Sequence, residues 1–388
     1  MTRVRSVSRT GRSPDTGKRG ACQKHLRSLR NLLFKNRETV PPGTPARATP
    51  RPESPARAWH PLAILVPVLV CTVFLALGAG RYGIGWGELV ALLAGRAPAA
   101  DADRWANIFF QLRLPRIAAA ALVGSSLAVA GASYQAMFAN PLASPNLCGV
   151  LAGSCFGAAL GMVISESWIV VQLTTFVFGF AAVGVALGIA TAFRRASDPM
   201  LLLILGGIVA AALFSALLAI VKYTADPYDK LPSIVYWLMG SLAASEWTTL
   251  RRVAWPMLAA MLLLLSLGGR LNVLSLGDDA ARALGIHAGR VRLLAILLAT
   301  LLGSLTVVLG GEIGWIGLIV PHVARLLAGP DNRRLLPASA LLGASFLIIV
   351  DTFARTAFRI EVPVGIVTAL LGVVAFVLVL GRVRKGWA

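Results

Sequence analysis

Gly310-Gly311-Glu312-Ile313-Gly314-Trp315-Ile316-Gly317-Leu318-Ile319-Val320-Pro321-His322-Val323-Ala324-Arg325 is the stretch whose reading decides the fold. Its glycines leave almost no side-chain bulk on one side, so a neighbouring helix can pack backbone to backbone there, as small residues permit in lipid. Pro321 removes one backbone donor. Glu312 sits before the apolar run and His322 to Arg325 at its far end, followed by the polar turn Gly329-Pro330-Asp331-Asn332-Arg333-Arg334. The pattern predicts a membrane helix over about 313–328, with Gly311, Gly314, Gly317 and Pro321 as helix-packing or path positions. A kinked packing helix with no further role accounts for the same residues taken alone.

The rest of the chain agrees with a membrane setting. Of 388 residues, 57% are hydrophobic and only 14% charged, with a mean hydropathy of +0.74. Nearly charge-free runs of about 20 residues, enough to span a bilayer at 1.5 Å per residue, recur from 61 to 382. Continuous runs of this kind exclude the short alternating strands of a β-barrel. The fold class is therefore all-α: a polytopic membrane protein with about ten spans, near 60–80, 117–138, 147–165, 168–192, 199–221, 252–269, 290–309, 313–328, 336–354 and 363–382.

The net charge of +20 does not point to nucleic acid. Residues 1–59 hold fourteen Lys and Arg against three acids. They form a basic Pro/Ser/Arg-rich tail without apolar periodicity or a signal-peptide core, expected to be disordered and suited to anionic lipid head groups. Residues 60–388 form the transmembrane domain. Cysteines at 22, 71, 148 and 155 make no CxxC pair, and the four histidines have no metal-ligand spacing, so neither a metal site nor a cofactor is expected in this chain.

Lys and Arg of short loops collect on the cytoplasmic side of a membrane. With the N-terminus inside, Arg194-Arg195, the 270–292 arginines, Arg333-Arg334 and Arg382 to Lys385 all fall inside, which places both termini in the cytoplasm. Arg113, Arg116, Arg355 and Arg359 are the exceptions on the outer face, either snorkelling interface residues or a cluster for an acidic partner. Residues 81–116 read as an amphipathic interfacial segment. Residues 222–250, broken at Asp226-Pro227 and Leu231-Pro232, read as a short helix bent back into the outer interface, with Gly240-Ser241 giving close packing. In the inside loop 269–289, Asp278 to Leu284 can form two helical turns, with Asp278 and Asp279 at the positive N-terminal end and Gly285 as stop. Such a helix is either a connector or a docking element.

Together these residues resemble the FecCD-type permeases of ATP-binding-cassette (ABC) importers for iron–siderophores, haem, cobalamin and related chelates. The resemblance spans about 60–385 and rests on motifs in order: Arg113-Leu114-Pro115-Arg116; Gly131, Gln135, Asn140-Pro141-Leu142-Ala143, Pro145 and Gly149; Trp237 to Leu242; Leu271-Asn272 through Gly277 and Gly285; the opening stretch with Asp331 and Arg333; Asp351 with Arg355; and Glu361 to Gly365. It implies a type II importer architecture in the bacterial inner membrane, as a homodimer or paired permease with the path between subunits. Two cytosolic ABC ATPases, carrying ATP and Mg, are the implied motor, and a periplasmic or lipid-anchored substrate-binding protein the implied donor. By the same resemblance Arg113, Arg116 and Arg355 are expected to dock the binding protein as exposed charge pairs. Asn140 and Leu142 form a cytoplasmic gate with Ser197 and Asp198, and Gly277, Asp278, Ala281, Arg282, Leu284 and Gly285 form the ATPase-coupling element.

The chain departs from the family's pattern in three places. Ala139 stands where relatives often carry arginine, Trp315 where they carry phenylalanine, and Val374 where they carry proline, so the last helix is expected to be straighter. No paired carboxylates within a span, nucleophile motif or Gly-x-x-x-x-Gly-Lys loop accompanies the motifs. Two other function classes are weighed against the importer. An intramembrane enzyme would rely on Glu312, His322 or Asp351, although a charge at the bilayer centre costs about 2.5–3.5 kcal/mol or more and all three fall near expected span ends. An ion-driven carrier would need an ionisable group in mid-membrane. Iron–siderophore is the default cargo; haem, cobalamin and molybdate are the alternatives.

Overall fold

The computed structural model describes residues 60–81, 83–193 and 199–383. The basic tail and the loop holding Ser197 and Asp198 lie outside the described residues. Within them the chain is helical and contains no strand. Helix α1 (His60–Gly78) is followed by two short helices, α2 (Trp86–Leu93) and α3 (Ala99–Ala106). A π-helical turn, Asn107–Arg113, leads into α4 (Leu114–Met137). Then come α5 (Val150–Ile164), α6 (Trp168–Ala192), α7 (Pro199–Thr224), α8 (Lys230–Leu238) and α9 (Trp247–Ser266). The chain ends with α10 (Gly268–Leu274), α11 (Asp278–Ala283), α12 (Ala288–Gly310), α13 (Ile316–Ala328), α14 (Asn332–Thr356) and α15 (Val364–Val383).

Among the described residues seven helical stretches are long and apolar enough to cross a bilayer, and three shorter apolar ones, in α5, α13 and α15, complete the ten expected segments. Helix α4 lies at the centre because its sequence is mostly Ala, Gly and Ser, so neighbours approach its backbone closely. It packs antiparallel to α14, where Gly124 and Gly343 each face the other's carbonyl, and parallel to α13, where Gly131 lies against the Gly317 carbonyl. A β-carbon at either contact would overlap backbone atoms. Helices α1, α6, α7 and α15 instead leave apolar side chains such as Phe74, Leu173, Ile208 and Leu370 exposed, as lipid-facing helices do.

The structure refines the sequence reading near residue 310 and corrects it over 81–116. The division expected between the spans at 290–309 and 313–328 is present, and the non-helical break is longer than expected: α12 stops at Gly310, and α13 starts at Ile316. Only the first part of 81–116 stands apart from the long helix that follows, where Ile84 and Leu89 pack with Ile108 and Phe109 in a small cluster. From Ala99 the chain runs without interruption into α4 through the π turn at Asn107–Arg113. The Phe110 carbonyl in that turn accepts the Trp247 indole N–H at 2.7 Å. Helix α8 and the turn after it form as expected. Helix α15 runs unbroken through Val374.

Candidate functional site

The break between α12 and α13 is the centre of the site. Gly311 takes a φ of +68°, which glycine adopts without steric penalty, and a side chain there would also strike the Trp237 carbonyl. Trp315 takes φ +69°, a conformation that strains a non-glycine residue by about 1–3 kcal/mol. Its indole is held against Gly372 of α15, where no β-carbon fits, and meets Phe376 at 6.1 Å edge to face. The turn after α8 crosses the break: the Ser241 N–H donates to the Gly310 carbonyl at 2.9 Å, and the Gly365 N–H to the Gly240 carbonyl at 3.2 Å. Irregular backbone inside a membrane is tolerated where it is buried in protein or lines a cavity, and this segment does both.

Its depth follows from its neighbours. Gly317, two residues beyond the break, meets Leu127 and Gly131 near the middle of α4. Pro321 has no N–H for the Gly317 carbonyl four residues earlier, and that carbonyl is the group pressed against Gly131. Gln135 then ties the two helices, donating to the Leu318 carbonyl at 3.2 Å and accepting from Arg325 at 3.0 Å. A cavity of about 330 Å³ opens beside the break, lined by Leu127, Leu142, Asn146, Glu312, Gly314 and Trp315 among others. Gly314 has no atom within 4 Å of a virtual β-carbon, so it is open space and not a packing contact, unlike Gly310, Gly311 and Gly317. Glu312 is exposed and accepts from the buried Cys155 thiol at 3.9 Å. It lies in this internal break, just past the end of α12 and before the start of α13.

The loop after α4 turns sharply at Ala139, φ +45°. The Asn140 side chain accepts from the Leu142 N–H at 2.9 Å, leaving Leu142 exposed against the cavity. At the same end, Asn272 of α10 holds the start of α14: it donates to Asp331 at 2.5 Å and accepts from the Asn332 backbone at 2.7 Å, while Asp331 caps α14 through the Arg333 N–H. Helix α11 projects from this joint. Ala281 is its buried foot, and Asp278 accepts from Arg292 of α12 at 2.8 Å. That guanidinium holds the Asp278 carboxyl below the usual aspartate range against the upward push of burial. Gly277 and Gly285, at φ +101° and +72°, bracket the helix. Leu276 and Leu284 stand 71% and 63% exposed at its two ends, and Arg282 pairs with Asp279 beside it, at 2.5 Å. Apolar side chains on a short, braced projection suit a partner surface.

At the opposite end the arginines are arranged otherwise than the sequence reading holds. Arg113 is 4% exposed and Arg355 8%. They donate to the Leu77 and Ala76 carbonyls, both at 2.6 Å, and so satisfy the C-terminal turn of α1. Arg116 makes a bidentate pair with Asp351, with contacts of 2.7–3.0 Å, and a 2.5 Å contact to Glu361. Arg81, which the sequence reading did not single out, caps α14 by donating to the Arg355 and Phe358 carbonyls at 2.5 and 2.7 Å. Three of these arginines are thus committed inside the fold, whereas Arg81 and Arg359 are exposed. A signal existed: basic residues next to the ends of apolar helices are candidates for the unsatisfied last carbonyls.

Residues 68–382 match the FecCD transport family. The chain belongs to that family. FecCD relatives include the molybdate import system permease protein MolB of Haemophilus influenzae, 39% identical over 83% of this chain and 95% of its own. The hemin transport system permease protein HmuU of Yersinia pestis is 35% identical over 84% and 97%. A solved protein described as of the metal-chelate type of ABC transporter, in an inward-facing conformation, superposes with a TM-score of 0.73 at 37% identity, over 84% of this chain and 99% of its own. This FecCD chain is accordingly a polytopic permease subunit of an ABC importer.

Proposed function

We propose that the chain pairs with a second permease subunit, a copy of itself by default, to form the path for a metal chelate across the bacterial inner membrane. Both termini are cytoplasmic in this reading. The apolar residues that α15 leaves exposed are area that such a partner would cover. A separate cytosolic ATPase, binding ATP and Mg, drives the cycle. Its cleft receives α11, and the joint of Asn272, Asp331 and Asn332 passes the push to the start of α14. Asn140 and Leu142 gate the cavity beside the break, with Ser197 and Asp198 in the partner gate loop. A substrate-binding protein docks at the arginine end. There Arg113, Arg116 and Arg355 supply a positive field that orients an acidic partner, while exposed cations such as Arg81 and Arg359 are within direct reach. The single observation that carries the ATP-driven reading is the projection of α11 with its two exposed leucines, since a carrier working alone has no use for a braced apolar knob outside the bundle.

Cargo class follows the family, with iron–siderophore ahead of haem, cobalamin and molybdate. The test is reconstitution of the chain with its ATPase and binding protein in liposomes, followed by ATP hydrolysis and uptake with each loaded binding protein in turn. Stimulation by one iron chelate is the expected result. Uptake by this chain without any ATPase would overturn the reading in favour of an ion-driven carrier.

A further inference from the structure

The arginine end encloses a cavity of about 380 Å³ lined by Arg81, Arg113, Arg116, Arg355, Ser245 and Glu361, with apolar walls from Ile108 and Leu112. Four guanidinium groups face one carboxylate there, and the second acid of the cluster, Asp351, is engaged by Arg116 behind it. Arg113 Nη2 and Ser245 Oγ are buried donors without a hydrogen-bond partner, and Arg355 Nε has only an ion-pair contact to Asp351 at 3.8 Å. Arg113 itself is more than nine-tenths buried. Helix capping accounts for its Nη1 and leaves Nη2 over. Its guanidinium carbon also lies 5.0 Å from the Phe109 ring centroid. A buried guanidinium donor is expensive to leave unpaired, and the four guanidinium groups lining this one cavity give it an excess of positive charge.

We propose that this cavity binds a small oxyanion. A guanidinium edge and a hydroxyl match the oxygens of a tetrahedral dianion or a carboxylate, which accept several charge-assisted hydrogen bonds at once. The site is distinct from the cavity at the α12–α13 break, and binding there does not require the ATPase. Its source is either a free inorganic dianion or a carboxylate carried by a chelate arriving at this mouth, and the two share the chemistry that the arginines read.

The test uses the purified full chain in lipid nanodiscs, without ATPase or binding protein, at ionic strength held constant with chloride. Sulfate and molybdate form one arm and citrate the other, with binding read by calorimetry and by the thermal unfolding midpoint. Saturable binding in either arm is expected, and the arm with the higher affinity identifies the source. Arg113→Lys keeps the charge and removes the fork, and should weaken binding by roughly tenfold or more. Ser245→Asp fixes a carboxylate in the cavity. It should raise the unfolding midpoint in the absence of anion and abolish the anion's own stabilisation. Should Arg113→Lys fail to fold, Ser245→Asp decides alone. No saturable binding in either arm, or equal anion stabilisation of Ser245→Asp and the unaltered chain, would overturn the proposal. Because no partner is present, that failure would leave the ATP-hydrolysis test untouched.

Discussion

Replacing Gly131 by alanine would wedge α4 from α13 at mid-membrane, and the same substitution at Gly317 and Gly314 should give a graded series. At Gly131 the new β-carbon lands on the Gly317 carbonyl, backbone against backbone, so no rotamer change relieves it. Overpacking of this kind costs about 3 kcal/mol, or roughly a hundredfold in the equilibrium for opening. At Gly317 the β-carbon would lie 2.9 Å from the Leu127 carbonyl oxygen. Ordinary contact starts near 3.4 Å, so the helices need shift by only about half an ångström, at about 1–2 kcal/mol and roughly tenfold. At Gly314 nothing lies within 4 Å and φ is not positive, so the change should stay within about 0.5 kcal/mol. The assay is the rate at which buried Cys148 and Cys155 react with a maleimide in detergent, in a background where Cys22 and Cys71 are serine. Labelling of Gly131→Ala at the rate of the unaltered chain, or Gly314→Ala as damaging as Gly131→Ala, would refute the packing argument.

Asp351→Asn leaves Arg116 with half its partner inside the bundle and should destabilise by about 3–5 kcal/mol, whereas Glu361→Gln, at a more exposed single contact, should cost far less; thermal unfolding in detergent compares them. Leu284→Asp should lower substrate-stimulated ATP hydrolysis in the reconstituted complex while leaving the unfolding midpoint of the permease alone nearly unchanged, because Leu284 is 63% exposed. The Asp278–Arg292 pair gives a pH dependence of known sign. Since the folded-state pKa of Asp278 is depressed, its contribution is fully present above the unfolded value of about 3.9 and is lost as pH falls through the lower folded value. Proteolytic protection of the 276–287 loop should therefore be flat from neutral to mildly acidic pH and fall only below the ordinary aspartate range; Asp278→Asn should remove that acid limb.

The sequence by itself determined the class of protein and the rough position of ten apolar segments, because burial in lipid is a property of composition over about 20 residues and needs no knowledge of neighbours. It also marked α11, whose acidic first turn and bracketing glycines are local signals. Tertiary structure alone decided the rest. Whether Gly311 ends a helix or packs within one depends on the turn after α8 that crosses it. Gly314 and Gly317 look alike in the chain and differ only in whether α4 lies opposite. Arg113, Arg116 and Arg355 read as surface charges because the carbonyls and the carboxylate that hold them come from residues 76, 77 and 351. For Arg113 and Arg116 against α1 and Asp351, those separations are 36 and 235 residues. Periodicity and local charge carry no information across such a distance, so a buried cluster and an exposed one have the same sequence signature until the helices are packed.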